Sequence, residues 1–154
     1  MLLDAPPMSI LLKRTREKPT RSDGTRVLVE HAWPRGVVRD DAKIHAWLRD
    51  LAPSDHLRRW FEDLGAPPEL WQRFRRRYLG ELGEPAATQA LERLYRLATE
   101  RANLTLVHAA RDAEHSGAAI LKELLDGTRK PPSSAGAAAA AAAKGVRSKR
   151  AAKR

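Results

Sequence analysis

Cysteine is absent from the 154 residues. That excludes disulfides, thiolate metal ligands and cysteine nucleophiles. No apolar run is long enough to cross a bilayer. The opening stretch MLLDAPPMSILL has neither a basic n-region nor a long apolar h-region, so it does not read as a signal peptide. The expectation is a cytoplasmic chain with no membrane partner. SDGTR lacks the glycine pattern of a phosphate-binding loop. Gly-x-Ser-x-Gly is missing too, and no serine sits in a strand–turn–helix elbow. The five histidines, His31, His45, His56, His108 and His115, lack His-x-x-x-His spacing. A metal site would need His31, His108, Asp112 and His115 to converge, and neither metal nor cofactor is expected.

Acidic residues are missing from 128–154, which carry eight Lys or Arg. Residues 1–127 then hold 21 basic and 19 acidic residues, so the net charge of +10 comes mostly from the tail. The tail, TRKPPSSAGAAAAAAAKGVRSKRAAKR, is of low complexity and is expected to be disordered, because it cannot bury a core. Its charge suits weak, non-specific contact with nucleic acid. The expected organisation is a domain over 1–127 and this basic extension over 128–154.

Three stretches of the body read as strands: Ser9 to Lys13, Arg26 to His31 and Leu104 to Ala110. The last two are continuous apolar runs, as in central strands covered on both faces. Between them lie about 70 residues of helical pattern, far more than a hairpin needs. Asp40 or Asp41 is expected to cap a helix whose face is Ile44, Trp47, Leu48 and Leu51. Ser54 or Asp55 caps the next, with Leu57, Trp60, Phe61 and Leu64 inward. Pro67 and Pro68 open a third, with Trp71, Phe74, Tyr78 and Leu82 in its stripe. A fourth follows through Leu91, Leu94 and Leu97 or Ala98. The fifth carries Ile120, Leu121, Leu124 and Leu125 and stops at Gly127. Arg75, Arg76 and Arg77 are consecutive, so they fan out around their helix instead of forming one tight patch. The fold class is α/β: a small three-layer domain with a short, largely parallel sheet and about five helices.

Two polar loops follow buried strands. In EHAWPRGVV, Pro34 fixes φ, Gly36 frees the backbone, and Arg35 is held between them. In HAARDAEHSG, Arg111, Asp112, Glu114 and His115 crowd the link to the last helix. Parallel neighbouring strands would bring both loops to the carboxyl edge of the sheet, where open α/β sheets bind ligands. Arg35 and Arg111 would then offer two guanidinium forks to a phosphate or carboxylate. His115 could exchange a proton, with Asp112 or Glu114 orienting it or acting as base. The bland alternative is that Asp112 caps the last helix and Arg111 pairs with Asp112, Glu114 or Glu30 as scaffolding.

At these loops the sequence resembles the bacterial DUF488 family of the YeaO-like type. The residues that carry the resemblance are RVLVEHAWPRG, AWLRDLAPSDHLRRWF, RFRRRYLGEL and LTLVHAARDAEHSGAAILKELL, and it spans about Ile10 to Leu125. It implies a small α/β protein with a largely parallel sheet. It also implies that Trp33, Pro34, Arg35 and Gly36, then Ala110, Arg111, Asp112, Glu114 and His115, are positions the family repeats. The chain departs at His31 and Ala32, where the family usually has Arg-Leu, and at His108 and Ser116, where it often has Tyr and Asn. The missing arginine at 31 takes one cation from the anion site.

Three readings follow. The first is a pocket for a small anionic ligand, in an enzyme or otherwise, bound by Trp33, Arg35, Gly36 and Arg111, with His115, Asp112 and Glu114 as the catalytic groups. The second is a nucleic-acid-associated protein that uses its basic tail. The third is a non-catalytic ligand-sensing or interaction module.

Overall fold

The computed structural model describes residues 9–100 and 103–128. The basic tail beyond Thr128 lies outside the described residues. Four strands form one sheet in the order β1-β4-β2-β3. They are β1 (Ser9–Arg14), β2 (Thr25–Leu28), β3 (Ala46–Trp47) and β4 (Asn103–His108). Every pairing is parallel. β4 lies between β1 and β2, with Leu12 opposite Leu106 on one side and Val27 opposite Leu106 on the other. This central place suits LTLV, which carries no charge and whose one polar residue, Thr105, is fully buried.

β2 is shorter than the Arg26–His31 run suggests, although Val29 still donates to the Val107 carbonyl at 3.1 Å. The expected helix over Ile44, Trp47, Leu48 and Leu51 does not form. Helix α1 covers only Arg39–Ala42 and ends at Lys43, whose φ of 51° is left-handed. Past it, His45 donates to the Arg26 carbonyl at 2.8 Å and Leu48 to that of Leu28 at 2.9 Å. The segment is drawn into the sheet as edge strand β3 and closes with a 3₁₀ turn at Arg49–Leu51. Helical spacing of apolar residues was therefore a coincidence of an edge strand followed by a tight turn.

The remaining helices are α2 (Asp55–Asp63), α3 (Pro68–Glu81), α4 (Pro85–Glu100) and α5 (Gly117–Thr128). They follow the expected starts and most of the stripes, but Leu64 falls past the end of α2 and is 55% exposed, and α5 runs through Gly127 instead of stopping there. Ser54 Oγ accepts the Leu57 amide at 3.1 Å and starts α2. Pro68 opens α3, where its missing N–H costs nothing. Side chains alternate across each strand. Ile10, Val27, Val29, Leu104 and Leu106 therefore share one face, and they join Leu57, Phe61, Phe74, Leu94, Ile120 and Leu121 in a single core.

The opposite face is covered by loops and the single turn of α1, so the third layer is thin. Residues 15–24 return across β4 to start β2, and they bring charge with them. Asp23, 1% exposed, receives Lys13 Nζ at 2.9 Å and Arg26 Nη1 at 2.8 Å. It also accepts from the Thr20 amide and hydroxyl. Arg26, 2% exposed, donates Nε to the Ala42 carbonyl, and its backbone N–H to His45 Nδ1. Thr105 Oγ1 donates to the Asp23 carbonyl. One face of the sheet is hydrophobic, and the other is held by a buried ionic cluster.

Candidate functional site

Because β2 and β4 are parallel neighbours, the two polar loops leave the same edge of the sheet. The first is braced by two indoles. Trp33 Nε1 donates to the Val37 carbonyl at 2.7 Å, closing the Pro34–Gly36 turn. Trp47 Nε1 donates to the Glu30 carbonyl at 2.7 Å. The rings meet edge to face at 5.6 Å, and Arg39 lies 4.5 Å over Trp33. Gly36 has a φ of 74°, so a side chain there would be strained although space is open around it. Arg35 stands exposed at the tip and makes no ion pair among the described residues. The position where the resemblance implies arginine, His31, is exposed, and its carbonyl accepts from Arg49 Nε at 3.2 Å. A guanidinium from β3's side thus lies against the backbone of that residue.

The second loop is organised by its own side chains. Asp112 Oδ1 accepts the Glu114 amide at 3.0 Å, and Oδ2 meets His115 Nδ1 at 2.7 Å. The His115 hydrogen bond holds the Asp112 carboxyl below the usual range. An ionised Asp112 fixes the proton of a neutral ring on Nδ1 and leaves Nε2 as the free acceptor. Trp71 of α3 backs the imidazole edge-on at 5.0 Å. Asp112 therefore starts the 3₁₀ turn Ala113–His115, and Ser116 begins α5 by accepting the Ala119 amide at 3.2 Å. The expected Asp112 cap is displaced by one short turn. The Asp112–His115 pair is open to water, with side chains 57% and 37% exposed. Glu114 and Arg111 are exposed, and Arg111 makes none of the expected pairs with Asp112, Glu114 or Glu30.

Glu30 joins the two loops. Its Oε2 accepts the Ala109 amide at 2.8 Å, so the carboxyl at the end of β2 clasps the chain where it leaves β4. Burial pushes the Glu30 carboxyl up, against the Ala109 hydrogen bond and the charge of Arg58. Its apolar run, VLVE, shows a polar residue at the strand end but not that the side chain turns back over the sheet. Glu30→Gln keeps an oxygen for Ala109. Since the folded pKa is raised, the wild-type contribution is complete below the unfolded value of 4.5 and is lost as pH rises through the folded one. The expected result is a urea midpoint for Glu30→Gln that equals or exceeds wild type at pH 7.5. A clear loss at that pH would show that the charge itself holds the loop.

His108 is buried at the end of β4, and its Nδ1 accepts the Ala110 amide at 3.1 Å. Burial, with Arg14 nearby, lowers its pKa and keeps the ring neutral. Among the described residues no group of three or more His, Asp or Glu side chains is placed to hold a metal ion. None of their helices is long and apolar enough to cross a membrane. A narrow cleft lies behind the first loop, lined by Thr15, Arg26, Trp33, Val37 and Ile44 among others. It is too tight to admit a water molecule, and of the seven expected site residues it includes only Trp33. The expected groups thus fall into two sets: the Asp112–His115 pair, and the separate exposed guanidiniums of Arg35 and Arg111.

The chain is similar to other proteins over nearly all of this body. It is 38% identical to the uncharacterized protein Rv3073c of Mycobacterium tuberculosis over 118 residues, 77% of this chain and 94% of that one. It is 33% identical to the uncharacterized protein YeaO of Escherichia coli over 118 residues, covering 77% and 97%. No solved structure matches it significantly. The family model for the inactive DUF488-N3 subclade matches residues 9–142, further into the alanine-rich segment than the resemblance from Ile10 to Leu125. The chain belongs to the DUF488 family, in its DUF488-N3 branch.

Proposed function

We propose that this protein is a non-catalytic module that binds a small phosphate- or carboxylate-bearing ligand through Arg35 and Arg111. The observation that carries the reading is that both guanidiniums are exposed and unpaired on loops leaving adjacent parallel strands. Unspent guanidinium forks at this edge suit an oxyanion. Trp33 and Gly36 shape the turn that presents Arg35, and Glu30 ties the start of the Arg111 loop to the chain leaving β2. Two observations favour binding over catalysis. The matching subclade is described as inactive. The groups suited to proton transfer, His115 with Asp112 and Glu114, lie open to water, whereas acid–base sites gain their perturbed pKa values from burial and neighbours. His115 then supplies a ligand-facing hydrogen bond, with Asp112 orienting it.

Inorganic pyrophosphate is a suitable probe. It is expected to raise the Tm of the wild-type chain, and Arg35→Ala with Arg111→Ala to abolish the rise while the fold persists. Each arginine is expected to contribute about 1.5–3 kcal/mol of affinity, roughly a 10- to 150-fold change. If both variants unfold instead, the arginines are scaffolding. Phosphate release that His115→Ala eliminates would establish catalysis and reverse the non-catalytic part of the reading.

A further inference from the structure

Independently of the loop site, we infer that the outward ridge of α3, formed by Arg73, Arg76 and Arg77, is a contact surface for the phosphate backbone of nucleic acid. The consecutive run Arg75–Arg77 does fan out, as its spacing requires. Arg75 turns to α5 and pairs with Glu123 at 2.8 Å, while Arg77 turns to α2 and lies 4.5 Å over the Trp60 ring. Adding Arg73 changes the picture. Positions i, i+3 and i+4 fall on one side of a helix, within an arc of about 100°. That side is opposite the buried Phe74 and Tyr78.

All three arginines are exposed, and none makes an ion pair among the described residues. The acidic residues of the same helix do not neutralise them. Glu81 is committed to the Ser54 amide and hydroxyl at 2.8 and 2.6 Å, and Glu69, one turn before Arg73, makes no ion pair. Three like charges on one helical face repel one another and are left uncompensated within the fold. Arg77 also lies over the Trp60 ring, a contact that restrains the side chain without using its hydrogen-bonding N–H groups on a carboxylate. A compact row of guanidiniums, one helical turn long, matches a duplex that carries one negative charge per about 1.7 Å of axis. The eight basic residues of 128–154 supply further charge of the same sign.

The test uses the full chain and a fluorescein-labelled 20-base-pair DNA duplex, with anisotropy followed across a salt series. Each phosphate contact contributes about 0.9 to the slope of log K against log salt. Arg73→Gln, Arg76→Gln and Arg77→Gln together are expected to lower that slope by about 2–3, with an unchanged urea midpoint. Arg75→Gln is the control and should leave the slope unaltered, because its charge is spent on Glu123. Absence of binding at low salt overturns the inference. So does an unchanged slope in the triple variant, which would assign all binding to the tail. Capture of poly-glutamate in preference to the duplex would reassign the ridge to an acidic protein partner and overturn it as well.

Discussion

Asp23→Ala is expected to remove about 3–5 kcal/mol of stability, the range for deleting one partner of a buried ion pair. The residue is 1% exposed and neutralises two cations, Lys13 at 2.9 Å and Arg26 at 2.8 Å. Without it, Arg26 would remain 98% buried and charged, with Nη2 already lacking an acceptor. Typical domains are stable by only 5–15 kcal/mol, so the loss is a large fraction of the total. Acid should reproduce part of it. Burial alone would raise the Asp23 carboxyl, but hydrogen bonds from Lys13, Thr20 and Arg26 outweigh burial and bring it down to about 2. A depressed folded value means that the contribution is present above the unfolded value of 3.8 and disappears as pH falls towards about 2. Urea titrations should therefore show wild type converging on Asp23→Ala over that interval. A cost below about 1 kcal/mol at neutral pH would sink the idea that the ionic cluster seals this face.

The second large effect is expected at Phe74. It is 3% exposed and lies 4.7 Å from Phe61, 5.5 Å from Trp71 and 6.2 Å from Tyr78, measured between ring centroids. Phe74→Ala should cost about 3–5 kcal/mol through lost burial and the cavity left behind. Phe74→Leu should cost clearly less. The consequence extends to the carboxyl edge, because Trp71 stacks on Phe74 and backs His115 at 5.0 Å. In the alanine variant the His115 imidazole resonances should shift even where the chain is still folded. Unmoved resonances alongside the stability loss would mean that Trp71 holds its place without Phe74.

These two residues differ in how far sequence reveals them. Phe74 belongs to an apolar stripe at helical spacing after a proline pair, which marks both the helix and its inward face. α2, α4 and α5 were legible on the same grounds. The shared edge of the Arg35 and Arg111 loops followed from two continuous apolar strands and the long segment between them. The ionic cluster was not legible. Lys13, Asp23 and Arg26 are each typical surface residues, and only the return of 15–24 across β4 buries them together. β3 escaped because two residues carry no periodicity and its pairing with Val27 and Leu28 is a tertiary event. The Glu30 clasp and the Trp71–His115 contact join elements distant in the chain, so no local pattern announces them.

The place of β4 between β1 and β2 also governs when this fold can come into being. A chain emerging from the ribosome offers its first two strands early, yet they cannot pair with each other. The element that both require is the last strand, Asn103–His108. Helices α2 to α4 and the short β2–β3 pairing can form earlier, but β1 and β2 cannot join one sheet until nearly the whole body has been synthesised. Contacts of such long sequence separation are entropically costly and slow to form. Until then Val27 and Val29 have no covering partner in β4, and the nascent chain must keep those edges from other chains.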